Sequence, residues 1–237
     1  PRRYAHAKAY TRSTQTSSTR VRLMHFLSNT QSLTIADQPS THEVARSEVV
    51  WSGRIVDMVE DRVVVVKGQE PVVRQYTRHP GAVAVVAMRG ESGGEEILME
   101  RQYRHPVQAT LWEIPAGLLD IPGEDPLVAA ERELAEEADM RASRWEVLVD
   151  FLTSPGGTNE PLRVFLARDL EATGTVFERE DEEATMEYAW VPLSQALDMV
   201  LDGRLHSPSA VIGILAAHAA RGRDWEGLRP ADAPWMR

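Results

Sequence analysis

Residues 81–88 form an unbroken apolar run, and residues 95–104 follow as a longer, nearly alternating pattern. The first reads as a strand buried on both faces, the second as its neighbour. Upstream, residues 47–58, 61–66 and 71–77 are β-rich and separated by short polar turns, which predicts a small antiparallel sheet. Downstream, residues 111–114, 145–152, 161–167 and 188–191 read as further strands. Helical spacing appears where Leu127, Ala130, Leu134 and Ala138 make one apolar stripe. Asp125-Pro126 before that stripe predicts an N-cap followed by proline in the first turn. A second helix is expected over residues 193–201, ending at Gly203, and a third from Ser207-Pro208 to about residue 220, ahead of Gly222. Strands first and mixed elements afterwards predict an α/β fold, a sandwich around a mixed sheet, preceded by the small antiparallel sheet. No internal repeat stands out.

Composition sets the limits. The chain has 237 residues, 43% of them hydrophobic and 26% charged, enough for a sizeable core and one or two domains. No cysteine is present, so a disulfide framework, a thiolate nucleophile and a zinc-cysteine site are excluded. That absence accords with a reducing cytosol, and a cytoplasmic setting is expected. A net charge of −10 argues against a nucleic-acid partner. No apolar run reaches the ~20 residues of a membrane-spanning helix. The seven histidines lack metalloprotease spacing, and no P-loop occurs. Residues 1–41 are rich in Arg, Ser and Thr, with no acidic residue before Asp37. Such a composition suits a transit peptide or, as read here, a disordered extension.

The chemistry concentrates in Arg132-Glu133-Leu134-Ala135-Glu136-Glu137. Spacings of three and four residues put Glu133, Glu136 and Glu137 on one face of a helix, opposite the apolar stripe. Like charges so placed destabilise an isolated helix by roughly 0.2–0.5 kcal/mol per pair, and a bound cation reverses that penalty. The plain alternative is a solvated acidic face. Hard divalent cations are commonly held by carboxylates together with substrate phosphates. Glu133 and Glu137 are therefore the expected metal ligands, with Glu136 a further ligand or a support for them.

Gly117, Glu124, Arg132, Glu133, Leu134, Glu136, Glu137 and Met140 fall in the order of the Nudix box, and the chain resembles that family. Two departures are visible. One residue is inserted between Gly117 and Glu124, and Asp139 stands where the box has its late glycine. Asp is one of the few residues besides glycine to enter the left-handed region at modest cost. The flanks Leu111-Trp112-Glu113-Ile114-Pro115-Ala116-Gly117 and Ser154-Pro155-Gly156-Gly157-Thr158-Asn159-Glu160 carry the resemblance further. Pro155 in particular is similar to the mark of the bacterial ADP-ribose pyrophosphatase subfamily.

That resemblance implies a Nudix α/β/α sandwich over residues 79–237, behind an N-terminal sheet over residues 42–78 that is exchanged between the subunits of a homodimer. It implies hydrolysis of ADP-ribose to AMP and ribose 5-phosphate with Mg²⁺, or Mn²⁺ in its place. The alternatives are another nucleoside diphosphate sugar as substrate, or a non-catalytic ADP-ribose sensor. It implies that the carbonyl oxygen of Ala116 joins the metal ligands, and that the general base is Glu183, or Glu182 if the loop alignment slips by one. A mobile acidic loop would bring that base in with substrate. It assigns Arg74, Arg104, Leu118, Pro155, Gly156 and Glu160 to the substrate pocket, with Glu160 accepting from ribose hydroxyls. Arg132 is expected to pair with a box glutamate rather than with substrate.

Overall fold

The computed structural model describes residues 35–175 and 186–237. Ser40–Arg237 form one unit, and residues 35–39 take no regular structure.

The apolar run becomes β4 (Ala82–Arg89), the centre of a mixed sheet. It pairs in parallel with β9 (Pro161–Ala172) and antiparallel with both β5 (Glu96–Arg104) and the short β7 (Ala116–Leu118). Outside these lie β6 (Ala109–Glu113) and β10 (Glu187–Pro192) on β5, and β8 (Met140–Leu152) on β9. The two-residue strand β11 (Arg229–Pro230) closes the edge beyond β8. The sheet is covered on both faces, which is why β4 needs no polar alternation. Val83, Val85 and Ala87 point to one side, with Phe165, Leu134 and Ala130. Ala84, Val86 and Met88 point to the other, with Val164, Leu193 and Ile214.

Helix α1 (Pro126–Ala138) covers the first face. The second face packs against α2 (Leu193–Leu201) and α3 (Pro208–Arg221). Both ends of α1 follow from local chemistry. The Asp125 carboxylate accepts the Leu127 N–H at 2.8 Å, and Pro126 sits in the first turn. At the other end Asp139 adopts φ 54° and ψ 31° and its N–H bonds back to Ala135 O. The left-handed residue turns the chain straight into β8 with no linker. Ala129 also faces the core, a member of the stripe that the sequence spacing omitted. Arg163, buried on β9, binds Asp150 through two hydrogen bonds of 2.7 and 3.0 Å. It also donates to Ala233 O at 2.8 Å, which fastens the C-terminal segment to the sheet.

Three antiparallel strands precede this sandwich: β1 (Glu43–Ser52), β2 (Asp57–Val64) and β3 (Val72–Arg78). The single strand expected over residues 47–58 is in fact two, because Gly53 N–H closes a turn onto Val56 O at 2.9 Å. Strands β8 and β9 both run about five residues further than the apolar pattern indicated. Ion pairs such as Arg141–Glu171 and Arg168–Glu146, 2.9 Å each, carry the ladder across those polar ends. Among the described residues, no helix is long and apolar enough to cross a membrane.

The left-handed Asp139 makes a stability prediction. Asp139→Gly is expected to match or exceed the parent in urea unfolding, whereas Asp139→Val loses roughly 1–2 kcal/mol, since a β-branched side chain is most penalised there. Equal midpoints for the two variants would contradict the capping role.

Candidate active site

The glutamate face of α1 meets the sheet at β7. Glu137 is buried, and its Oε2 accepts the Ala116 N–H at 2.9 Å. Beside it, the carboxylate of Glu133 lies over Gly117, in the space a Cβ at that residue would occupy. A side chain there would have to push Glu133 aside, so glycine is required by close approach. The structure thus brings Ala116, Glu133 and Glu137 together. Glu136 is further out, with 43% of its side chain exposed.

Arg132 organises this face. Its guanidinium forms two 3.1 Å bonds to the two oxygens of Glu124, one of 2.6 Å to Glu133 Oε1 and one of 3.1 Å to Glu136 Oε2. The expected pairing with a box glutamate is therefore threefold. The inserted residue before Glu124 is absorbed in an exposed turn closed by Glu124 N–H to Ile121 O at 3.1 Å, and Glu124 still reaches Arg132. The hydrogen bonds to Glu124, and then the charge of Glu133, hold the guanidinium pKa far above its ordinary value. Arg132 stays charged at any pH the fold experiences.

A second acidic group was not assigned from the sequence. Glu113 on β6 and Glu100 on β5 face each other across the strand pair, and both are buried. Arg104 grips Glu113 with bonds of 3.1 and 2.6 Å. Its pKa is raised first by that hydrogen bonding, against the opposing effect of burial, and then by the charges of Glu113, Glu100 and Glu137. Six carboxylates on α1, its preceding turn, β5 and β6 therefore face two guanidinium groups. In this arrangement Arg104 is committed to Glu113. The signal for Glu113 lay in the Trp112-Glu113-Ile114 triplet, a charge between apolar residues at a strand end.

Among the described residues, no three Asp, Glu or His side chains form a finished cation cage. The donors nonetheless fit a hard divalent ion in kind. They are all oxygen, one of them buried against backbone, and Mg²⁺ is ordinarily held by one or two carboxylates with substrate phosphates and water.

Arg74 on β3, together with Pro155 and Gly156, lines a cleft of about 390 Å³. Gln75, Tyr76, Leu152, Thr158 and Asn159 complete its walls. Partial burial, then the charge of Asp61, push the Tyr76 phenol above its ordinary pKa, and its hydroxyl donates to Asp61 at 3.2 Å. Leu118 on β7, Arg104 and Glu160 are not among the lining residues. Glu160 closes the loop at its base, where Thr153 Oγ1 donates to its Oε2 at 2.7 Å. Glu182 and Glu183 lie outside the described residues. A separate cleft of about 400 Å³ opens at the far end of β4, but its arginines are already paired, Arg89 with Glu96 and both Arg144 and Arg168 with Glu146.

The packing at Gly117 yields a prediction. Gly117→Ala is expected to keep the fold, because what must move is the Glu133 side chain from Cγ outward and no backbone. Displacing that carboxylate by about 1 Å should cost on the order of 100-fold in hydrolytic rate. Circular dichroism and steady-state kinetics check the two halves, and unchanged kinetics would remove Glu133 from the site.

The NUDIX domain matches residues 78–210. The chain is 42% identical over 194 residues to the ADP-ribose pyrophosphatase of Mycobacterium tuberculosis, covering 82% of this chain and 91% of that one. It is 36% identical over 173 residues to the methanol dehydrogenase activator of Bacillus methanolicus, 71% and 88% covered. A crystal structure of an ADP compounds hydrolase superposes with a TM-score of 0.62 at 20% identity, over 79% of this chain and 98% of the other, which bears on the fold alone. With the box glutamates seated on β7, a domain match over more than half the chain and a relative this similar along nearly its whole length, this protein belongs to the Nudix family.

Proposed function

We propose that this protein is an ADP-ribose pyrophosphatase, hydrolysing the diphosphate bond to give AMP and ribose 5-phosphate, with Mg²⁺ as cofactor and Mn²⁺ as a substitute. The observation that carries the reading is the seating of α1 on β7, with Glu137 on the Ala116 N–H and Glu133 packed over Gly117. The choice of substrate draws its support from the Mycobacterium relative's name and the length of that match.

Glu133, Glu137 and the Ala116 carbonyl would hold the cation, with Glu136 beside them. When bound, it neutralises charge developing on the diphosphate and lowers the pKa of the attacking water. Arg132 keeps Glu133 and Glu136 from splaying apart and is itself too engaged to leave. The water's proton passes to Glu183, or to Glu182, on the strength of the family resemblance. In the cleft, Arg74 offers a planar fork for a phosphate or an adenine face, over the floor made by Pro155 and Gly156. On the family resemblance, Glu160 at the base of the neighbouring loop accepts from ribose hydroxyls, and Leu118 on β7, outside the cleft walls, packs against the ligand. Arg104 acts through Glu113, and reaches substrate only if that ion pair opens.

A homodimer is part of the proposal. Val49, Val50, Trp51, Val72 and Val73 on the N-terminal sheet are exposed, Trp51 by 60%. Apolar side chains gathered on one small sheet support a subunit interface. Light scattering is expected to give twice the 26.5 kDa chain mass, and Trp51→Asp to shift it toward that of one chain. A monomeric parent would remove the dimer.

The decisive assay follows AMP release from ADP-ribose with Mg²⁺ beside ADP-glucose, GDP-mannose and NADH. Selective turnover of ADP-ribose is expected. Glu137→Gln should abolish it while the fold persists, because the amide oxygen can still accept the Ala116 N–H. Turnover of another substrate moves the specificity; binding of ADP-ribose without turnover makes the protein a sensor.

A further inference from the structure

The segment Arg78-His79-Pro80-Gly81 joins the N-terminal sheet to β4, and His79 within it is only 12% exposed at its side chain. Gly81 adopts φ 99° and aims its N–H at the ring, 3.0 Å from His79 Nδ1. A substituent at Gly81 would be strained by that φ and would press on Pro161, 3.2 Å away. A ring nitrogen that accepts carries no proton, so the neutral imidazole is fixed with its hydrogen on Nε2. That nitrogen lies 3.8 Å from Glu160 Oε1. The other oxygen of Glu160 is taken by Thr153 Oγ1. A second tie runs alongside, because His79 N–H donates to Asn159 Oδ1 at 2.8 Å.

We propose that His79 is a positioning residue for Glu160, its Nε2–H and the Thr153 hydroxyl together fixing the angle at which that carboxylate meets the hydroxyls of a ribose. This rests on the role given to Glu160 above. Each carboxylate oxygen can accept more than one hydrogen bond, so both anchors leave lone pairs for a ligand. The 3.8 Å approach is longer than a hydrogen bond, and a rotation of the Glu160 side chain that shortens it completes the contact. The tautomer is what matters: with the hydrogen on Nδ1 the ring would turn a lone pair toward a carboxylate and repel it. The turn at Gly81 therefore acts on a residue some 80 positions away in the chain.

The test has two readouts. The first needs no substrate. Ring ¹⁵N shifts of His79, measured where the imidazole is neutral, should show hydrogen on Nε2, and the Nε2 signal should move in Glu160→Gln. Hydrogen on Nδ1, or indifference to Glu160→Gln, overturns the proposal whatever the enzyme hydrolyses. The second is a kinetic cycle. His79→Leu should raise KM for ADP-ribose about tenfold with kcat little changed, the scale of one hydrogen bond to a charged group. His79→Gln, which restores a donor near the same place, should recover most of it. In a Glu160→Gln background, His79→Leu should add little further loss. Independent, multiplying effects would overturn the positioning role while leaving Glu160 in the pocket. A normal KM in Glu160→Gln alone would instead overturn the assignment of Glu160, and His79's role with it.

Discussion

Everything at the site depends on how closely α1 is pressed onto β7. A carboxylate can lie over Gly117 only because nothing projects from that residue, and Glu137 can be buried only because the Ala116 N–H meets it. A buried charge without such a donor would cost several kcal/mol. The sheet supplies the rest: β7 is held by its pairing to β4, and Leu134 and Ala130 on the opposite side of α1 anchor the helix in the core. The acidic face is thus a consequence of packing as much as of composition. Arg132 then settles the charges that packing brings together, binding three carboxylates with one fork. The family to which the chain belongs supplies the reason such a costly arrangement is kept.

The cleft has a different origin. It forms where the N-terminal sheet and the loop after β8 are tied together. Thr77 N–H donates to Gly157 O at 2.9 Å, and Asn159 N–H to Thr77 O at 3.3 Å. Arg74 faces Pro155 across the gap because β3 is held to that loop at its end. A change in how the N-terminal sheet is seated would be felt in the cleft walls.

The features legible in sequence were those set by neighbours in the chain. Asp125-Pro126 announced the start of α1, and Asp139 its left-handed end, because caps are local chemistry. Spacings of three and four residues placed the glutamates on one face before any fold was known. What is not legible there needs strand register. Glu100 and Glu113 become a pair only when β5 and β6 align, and nothing in either segment alone says so. The turn at residues 53–56 was hidden by Ile55 and Val56, whose β-branched side chains continue a strand pattern through it. Arg163 was equally silent, since a buried arginine is visible only through Asp150 and the carbonyls of the C-terminal segment. Glu182 and Glu183 lie outside the described residues, so the base rests on resemblance alone.

The carboxylates over β7 should bind a divalent cation jointly with a diphosphate. Mn²⁺ binding, followed by electron paramagnetic resonance with and without the α,β-methylene analogue of ADP-ribose, tests it most directly. Binding should be weak to the protein alone, tighten markedly when the analogue is added, and lose that tightening in a Glu133→Gln, Glu137→Gln double variant. Tightening that survives the double variant would contradict it.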